Sequence, residues 1–215
     1  MGKLHNFDFF CNKERQQVDY YIDVESQAIL TAFGRLAGDF EEIRLQAVDW
    51  QLIVKKHGPA VWQTVYRLLG NETDAADCFQ ETFLCALEVA RRQHVRSFSA
   101  LLARLAASRA INRLRQRIRQ SQRTNNQAQL SNVAVANPGP VRQAEGRELV
   151  LKLREALGQI PAQEAEVFCL RYLNNMSYRQ IARELGIKAS SAGVLLHRAR
   201  MKLSDILKLK NEVSE

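Results

Sequence analysis

Apolar residues recur at steps of three and four along most of this chain, which is the spacing of amphipathic α-helices. One such stripe lies near the N-terminus, at Ile29, Phe33, Leu36, Phe40, Ile43, Ala47 and Trp50. It predicts a helix that packs on the following domain, with a partner-binding element as the alternative. Further helices are predicted over 51–69, 74–90, 98–118, 148–159 and 162–173, the first of them broken at Gly58-Pro59. We therefore expect an all-α fold.

Two short helices joined by a tight turn are predicted between Met176 and Leu209. Ser177 stands three residues before Gln180, the spacing of a capping box, and Gly186 ends the first helix. Ser190 or Ser191 can cap the second helix. That helix carries apolar residues toward a core at Val194, Leu195, Ala199 and Leu203, and cationic residues outward at His197, Arg198, Arg200 and Lys202. A helix-turn-helix of this kind places its second helix in a DNA major groove; an ordinary helical hairpin with a solvated basic face is the alternative.

The domain organisation follows from a change in composition after residue 120. Residues 121–147 are rich in Gln, Asn, Ser and Ala, and Asn137-Pro138-Gly139-Pro140 interrupts any helix there. We interpret this segment as a flexible linker between two small helical domains. The predicted parts of the chain are an N-terminal extension, a first domain, the linker, a second domain and a short tail, at 1–49, 50–120, 121–147, 148–209 and 210–215.

Positive charge is concentrated in one block. The 215 residues carry a formal net charge of +8, yet residues 91–123 hold ten arginines and no acidic residue. Several arginines of the predicted helix must be exposed, because Arg104, Arg113, Arg115, Arg117 and Arg119 cannot all turn inward. Three more, Arg91, Arg92 and Arg96, are predicted to lie in the preceding turn with His94 and Phe98. Cations beside an aromatic ring suit a nucleic-acid strand whose bases have left the stack, whereas non-specific surface charge is the alternative.

Negative charge is concentrated on the helix before that block. Asp74, Asp77, Glu81 and Glu88 fall on one helical face, with Gln80 beside them and apolar residues opposite. Most acidic stripes are simply the solvated side of a helix. Here the continuous apolar face opposite anchors the helix, so the acidic side can dock a basic element of another protein.

Several classes of function are disfavoured by what the sequence lacks. The four cysteines show no CxxC spacing, and His5, His57, His94 and His197 accompany no nucleophile or metal-ligand pattern. We expect no metal, no cofactor and no enzyme activity. There is no apolar run of transmembrane length and no signal-peptide layout, so a cytoplasmic protein with free thiols is expected.

Three segments resemble bacterial extracytoplasmic-function sigma factors. The segment ETDAADCFQETFLCAL (72–87) resembles the conserved region-two helix, whose D-A-x-D-x-x-Q-E-T-F pattern is met at Asp74, Ala75, Asp77, Gln80, Glu81, Thr82 and Phe83. The segment at 97–116 is similar to the following region-two helix, and 157–207 is similar to region four. The resemblance covers about residues 50 to 209.

The resemblance implies three sets of contact residues. Those expected to bind the core RNA polymerase are Asp74, Asp77, Gln80 and Glu81. Those expected to bind the melted minus-ten promoter element are Arg91, Arg92, Arg96, Phe98, Arg104, Ser108, Asn112, Arg113, Arg115 and Arg117. Those expected to bind the minus-thirty-five element are Arg179, Lys188, Ser190, Ser191, His197, Arg198 and Arg200. An anti-sigma protein is a further candidate partner.

This chain departs from the family pattern in both promoter-binding segments. The usual Trp, Asn and Asp of the second region-two helix are Leu101, Ser108 and Asn112 here. The common Thr-Val-Lys-Ser-Arg run of the region-four helix is replaced by residues 191–195, with Gly193 and Leu195 where cations are usual. We expect weaker major-groove binding or a different sequence preference, with more dependence on Lys188, His197 and Arg198.

The favoured function is a sigma factor that binds core RNA polymerase and directs it to promoters. The main alternative is a free-standing helix-turn-helix regulator, which leaves the acidic face and the arginine-rich helix without a role. A nucleic-acid-processing enzyme would need a cluster of metal-binding carboxylates in a cleft, and the sequence shows no such cluster.

Overall fold

The structure, a computed structural model, describes residues 48–125 and 141–212. In this part of the chain it contains helices and no strand, which confirms the all-α fold class. The helices are α1 (Trp50–Leu69), α2 (Glu72–Arg92), α3 (Phe98–Asn125), α4 (Val141–Gln159), α5 (Ala162–Tyr172), α6 (Tyr178–Leu185) and α7 (Ala189–Glu212). The predicted helix before residue 50 lies outside the described residues, except for Trp50, which begins α1.

The chain divides into two compact units, the first ending at Ala106 and the second beginning at Ala107, so that the boundary falls within α3. Helix also occupies both ends of the predicted linker, because α3 continues to Asn125 and α4 begins at Val141. The remaining linker residues, 126–140, lie outside the described residues. The domain bounds given above therefore remain a prediction.

Helix α1 runs without interruption through Pro59, so the predicted break at Gly58-Pro59 is wrong. Asp49 caps the helix, since its side chain accepts a hydrogen bond of 3.0 Å from the Leu52 N–H, and Gly70 ends it in the left-handed region at φ 73°. Val54, Val61 and Val65 are buried on both sides of the proline, which itself is exposed. Burial of this continuous apolar stripe offsets the backbone hydrogen bond that proline removes.

Aromatic side chains form the centre of the first unit, where α1 packs on α2. The ring of Trp62 meets that of Phe79 edge-on at 5.9 Å between centroids, and Phe79 meets Phe83 at 5.0 Å. Both phenylalanines are fully buried. Edge-to-face packing of this kind adds specific geometry to the burial of apolar area. The outward face of α2 is thereby fixed relative to the core.

The second unit contains the predicted helix-turn-helix, with α4, α5 and α6 all packed on α7. The capping box is present: the Gln180 N–H donates to Ser177 Oγ at 3.3 Å, and the Ser177 N–H donates to Gln180 Oε1 at 2.8 Å. Gly186 ends α6 at φ 65°, also as predicted. However, α7 begins at Ala189, so Ser190 and Ser191 lie in its first turn and the prediction that one of them caps it is wrong.

Candidate binding surfaces

An acidic ridge, made of Asp77, Glu81 and Glu88 with Gln80, follows the outward side of α2. Asp77 and Glu88 are exposed, and Gln80 and Glu81 are half-buried. Carboxylates spaced by four and seven residues along a well-packed helix present their charge in a fixed direction. The exposed carboxylates of Asp77 and Glu88 thus give this side of α2 a negative surface.

Asp74 has a different role from the rest of the acidic set, because it belongs to the start of α2. Its backbone N–H donates to Asn71 Oδ1 at 2.8 Å, and its Oδ2 accepts from Asn71 Nδ2 at 3.1 Å. Asn71 is the N-cap residue that satisfies a free amide of the first turn. The half-buried side chain of Asp74 therefore takes part in this helix cap.

Other residues of the same motif face inward and hold α2 in place. Ala75, Thr82 and Phe83 are fully buried, and the Thr82 hydroxyl donates to the Cys78 carbonyl at 2.7 Å. The hydroxyl thus brings no unsatisfied polar group into the core. The motif therefore combines outward residues that can bind with inward residues that position them.

The basic residues around the α2–α3 connection are arranged differently from the prediction. Arg91 and Arg92 form the last turn of α2 instead of the turn before α3, where cations interact favourably with the C-terminal end of the helix dipole. Arg92 and Arg96 are exposed, whereas Arg91 is half-buried. Phe98 begins α3, and its ring meets Trp50 edge-on at 5.5 Å between centroids. The aromatic ring is thus already packed within the protein.

The arginines in the middle of α3 are less exposed than the sequence predicted from ten arginines and no acidic residue in 91–123. Asn112 is exposed, while Ser108 and four of the predicted DNA-binding arginines are half-buried: Arg104, Arg113, Arg115 and Arg117. Burial also lowers the pKa of Arg117, although an arginine remains charged at neutral pH. Among the arginines of 91–122, the exposed ones are therefore Arg92, Arg96 and Arg119.

The predicted residues of the helix-turn-helix are mostly accessible. Arg179 on α6 is exposed, as are Lys188, Ser190, His197, Arg198 and Arg200, and Ser191 is half-buried. No acidic residue occurs between Glu184 and Asp205. Residues 189–204 of α7 consequently present only positive or neutral side chains to a ligand, which suits the phosphate backbone of DNA, and the exposed Asp205 lies further along the helix.

Two outward residues of α7 were assigned wrongly from the sequence. Val194 was expected to face the core but is 51% exposed, while the buried positions are Ala192, Leu196, Ala199 and Leu203. Lys202 was expected to face a negative partner, yet its Nζ donates to Glu164 Oε1 of α5 at 2.9 Å. Glu164 is buried, so this ion pair joins α5 to α7 and withdraws Lys202 from the basic face.

Two protein-family models match separate parts of the chain. The family "Sigma-70 region 2" matches residues 53–120, and "Sigma-70, region 4" matches residues 151–203. The first match contains the acidic ridge and most of α3, and the second contains the helix-turn-helix. The chain belongs to the sigma-70 family, in its extracytoplasmic-function group.

This sigma factor is also similar to individual proteins and to a solved structure. It is 27% identical over 159 residues to the ECF RNA polymerase sigma factor SigE of Mycolicibacterium smegmatis, covering 74% of this chain and 62% of that protein. It is 28% identical over 166 residues to the RNA polymerase sigma factor CnrH of Cupriavidus metallidurans, covering 74% and 87%. A solved structure of the sigma factor RpoE with the anti-sigma factor NepR from Bartonella quintana aligns at a TM-score of 0.48 and 21% identity, covering 74% of this chain and 97% of that one.

Arg115 in this sigma factor makes contacts that its sequence context did not suggest. Its Nη2 donates to the Ile160 carbonyl at 3.0 Å and its Nε to the Gly158 carbonyl at 3.3 Å. Both acceptors lie at the C-terminal end of α4, where carbonyls lack partners within the helix and a cation is favoured. A Cβ built on Gly158 would meet Cδ1 of Ile118, so the glycine leaves room for that side chain of α3. Within the second unit, Arg115 thus stabilises the end of α4.

Replacing Arg115 with glutamine is therefore expected to lower the free energy of unfolding by about 1–2 kcal/mol, because two carbonyls lose a charged donor. Urea denaturation followed by circular dichroism measures this change. Arg119→Gln is the matched control, since Arg119 is exposed on the same helix and its Nε donates to the Arg115 carbonyl, one turn earlier in α3. Equal denaturation midpoints for the two variants would contradict a structural role for Arg115.

The cysteines and the metal-binding residue types of the described ranges form no further candidate site. Among the described residues, Cys78, Cys85 and Cys169 form no disulfide, and burial raises the pKa of Cys169, which keeps its thiol protonated. Within 48–125 and 141–212, no group of three His, Cys, Asp or Glu residues is placed to hold a metal ion. In the same ranges, no helix combines the length and the apolar character that crossing a membrane requires.

Proposed function

We propose that this sigma factor binds core RNA polymerase and directs it to promoters. The observation that carries the proposal is the presence of both sigma-70 regions in one chain, region two at 53–120 and region four at 151–203. A protein that only binds duplex DNA needs the second of these and has no use for the first. The chain spans 62% of the length of its SigE relative. The proposal therefore rests on the two matched regions and not on the activity of that relative.

In this proposal, three surfaces of the chain each bind a different partner. The acidic ridge binds a basic element of the polymerase, consistent with the outward position of Asp77 and Glu88. The arginine-rich region around Arg92 and Arg96 holds the opened minus-ten strand, where exposed cations attract phosphates. The outward face of α7 reads the minus-thirty-five element in the major groove. The domain bounds of the sequence analysis, 50–120 and 148–209, are proposed for the two modules.

The mechanism is binding energy distributed over several weak contacts. Once one module has engaged the polymerase–promoter complex, the chain raises the effective concentration of the other near its own site. Strand opening is favoured because region two holds bases only after they have left the duplex. The chain acts by binding and not as an enzyme, and it works in the cytoplasm with the polymerase. An anti-sigma protein is a further proposed partner, as in the NepR complex of RpoE.

Size-exclusion chromatography with purified core RNA polymerase tests the proposal against its main alternative. The proposal expects the chain to elute with the polymerase at low micromolar concentration in the absence of DNA. A free-standing helix-turn-helix regulator would elute alone and would bind duplex DNA without the polymerase. Elution of the chain alone, with intact circular dichroism, would contradict the sigma function.

A further inference from the structure

The direction of α7 side chains separates the helix into a buried stripe and an outward face. Ala192, Leu196, Ala199 and Leu203 have exposed fractions of 0%, 3%, 0% and 3%. With about 100° of rotation per residue, Val194 and Met201 lie roughly opposite the mean direction of that stripe. Their exposed fractions are 51% and 52%. The centre of the outward face is therefore apolar, although cations surround it.

Val194 stands between two residues expected to bind DNA. Ser190 lies one helical turn before it and Arg198 one turn after it, and both are exposed. It also belongs to the second turn of α7, and the N-terminal turns of a recognition helix are the ones that contact base edges. Met201 lies almost two turns further along the helix. A single exposed valine is common on protein surfaces, but this one occupies the centre of the face that the proposed function directs at DNA.

The neighbouring glycine supplies an independent observation. Gly193 lies inside α7, and a Cβ built on it would meet nothing within 4 Å. Glycine within a helix is less stable than alanine, and no neighbouring side chain of this protein requires its small size. The space beside Val194 is thus open for close approach of a ligand. The nearest acidic residue of α7 is the exposed Asp205, about three turns after Val194, so the N-terminal half of the face carries no charge that would repel a polyanion.

The chemistry of valine selects one group in the major groove. Its two methyl groups neither donate nor accept hydrogen bonds, and the C5-methyl of thymine is the apolar group that the groove presents. We propose that Val194 is a specificity-determining residue that reads a thymine of the minus-thirty-five element by contact with its C5-methyl, with Gly193 allowing the close approach. This rests on the proposed function. It also explains how the helix discriminates bases without cations at Gly193 and Leu195.

Replacing thymine by deoxyuridine removes only that methyl group and therefore tests the contact directly. The probe is the duplex that the wild-type holoenzyme, assembled from core polymerase and the full chain, selects from a randomised pool. Each thymine of its upstream element is replaced singly. We expect the affinity of the wild-type holoenzyme to fall about fourfold at one position, which corresponds to the loss of one buried methyl group.

Variants identify the residue that makes the contact. Val194→Ala is expected to bind the thymine duplex more weakly and to be indifferent to uracil at that position. Met201→Ala, on the same face, is the matched control and should keep the wild-type sensitivity. Gly193→Ala is expected to raise the Tm while weakening binding, two changes that a purely structural role for the glycine would not combine.

Two results overturn the proposal while leaving the sigma function intact. The first is a holoenzyme that starts transcripts on the selected duplex yet is indifferent to every thymine-to-uracil replacement. The second is a Val194→Ala variant that keeps the full sensitivity, because another residue must then contact the methyl group. A holoenzyme that selects no duplex at all contradicts the proposed function itself and the thymine contact with it.

Discussion

Replacing both Asp77 and Glu81 with lysine is expected to abolish binding to core RNA polymerase while the chain stays folded. The two side chains lie on the outward side of α2, opposite the fully buried Phe79 and Phe83. Reversing them turns attraction to a basic partner into repulsion. Loss of a charge pair at an interface costs about 2–5 kcal/mol, so the affinity should fall by about a hundredfold or more.

A fluorescence titration of labelled chain with core polymerase measures this loss. The matched control is the double variant Glu148→Lys/Glu155→Lys, which makes the same charge change at two exposed positions of α4. The control should bind like the wild type, and both variants should keep the wild-type denaturation midpoint within the usual range for surface substitutions. Wild-type affinity of the Asp77/Glu81 variant would refute the docking role of the acidic ridge.

Neutralising Arg92 and Arg96 is expected to weaken promoter opening and to reduce its dependence on salt. Each exposed arginine that binds a phosphate releases counterions, so the slope of log affinity against log salt should become shallower by about 0.7–0.9 for each arginine neutralised. At about 0.1 M salt, each such neutralisation corresponds to roughly a tenfold weaker complex. Permanganate reactivity of the opened bases and filter binding over a series of salt concentrations measure both effects.

Lysines elsewhere on the first unit provide the control for that experiment. Lys55→Gln/Lys56→Gln removes the same charge from exposed positions of α1 and should leave the slope unchanged. The arginines of mid-α3 are a less direct test, because Arg115 bonds to carbonyls of α4 and its replacement would change stability as well. Identical slopes for the wild type and the Arg92/Arg96 variant would contradict a role in holding DNA.

Local signals in the sequence predicted the parts of the fold that depend on neighbours in the chain. The capping box of Ser177 and Gln180 and the helix end at Gly186 are specified by a few adjacent residues, and both are present. The outward position of Asp77 also follows from helical spacing against a strongly apolar opposite face. Such features need no knowledge of what the helix packs against.

Predictions that depended on tertiary packing were less successful. In α7, Val194 was predicted to face the core with Ala199 and Leu203, but the buried stripe that contains those two residues also contains Ala192 and Leu196. Packing of α4, α5 and α6 selected the stripe through Ala192 and exposed the valine. In α1, burial on both sides of Pro59 maintained a helix that the local pattern would have ended.

Long-range contacts could not be read from the sequence at all. The sequence placed Lys202 on a basic face. In the structure it pairs with the buried Glu164 of α5, which lies 38 residues earlier in the chain. Arg115 likewise donates hydrogen bonds to carbonyls that lie 43 and 45 residues later in the chain. Charge composition indicated a polyanion partner but could not show which cations are committed within the protein.

Mapping the 5′ ends of transcripts tests the central claim most directly. Purified core polymerase is supplied with genomic fragments, with and without this sigma factor, and the RNA ends are sequenced. We predict that adding the chain concentrates initiation at a small set of positions that share two upstream elements, and that the Asp77/Glu81 variant does not. Start positions that are the same with and without the chain would contradict the claim.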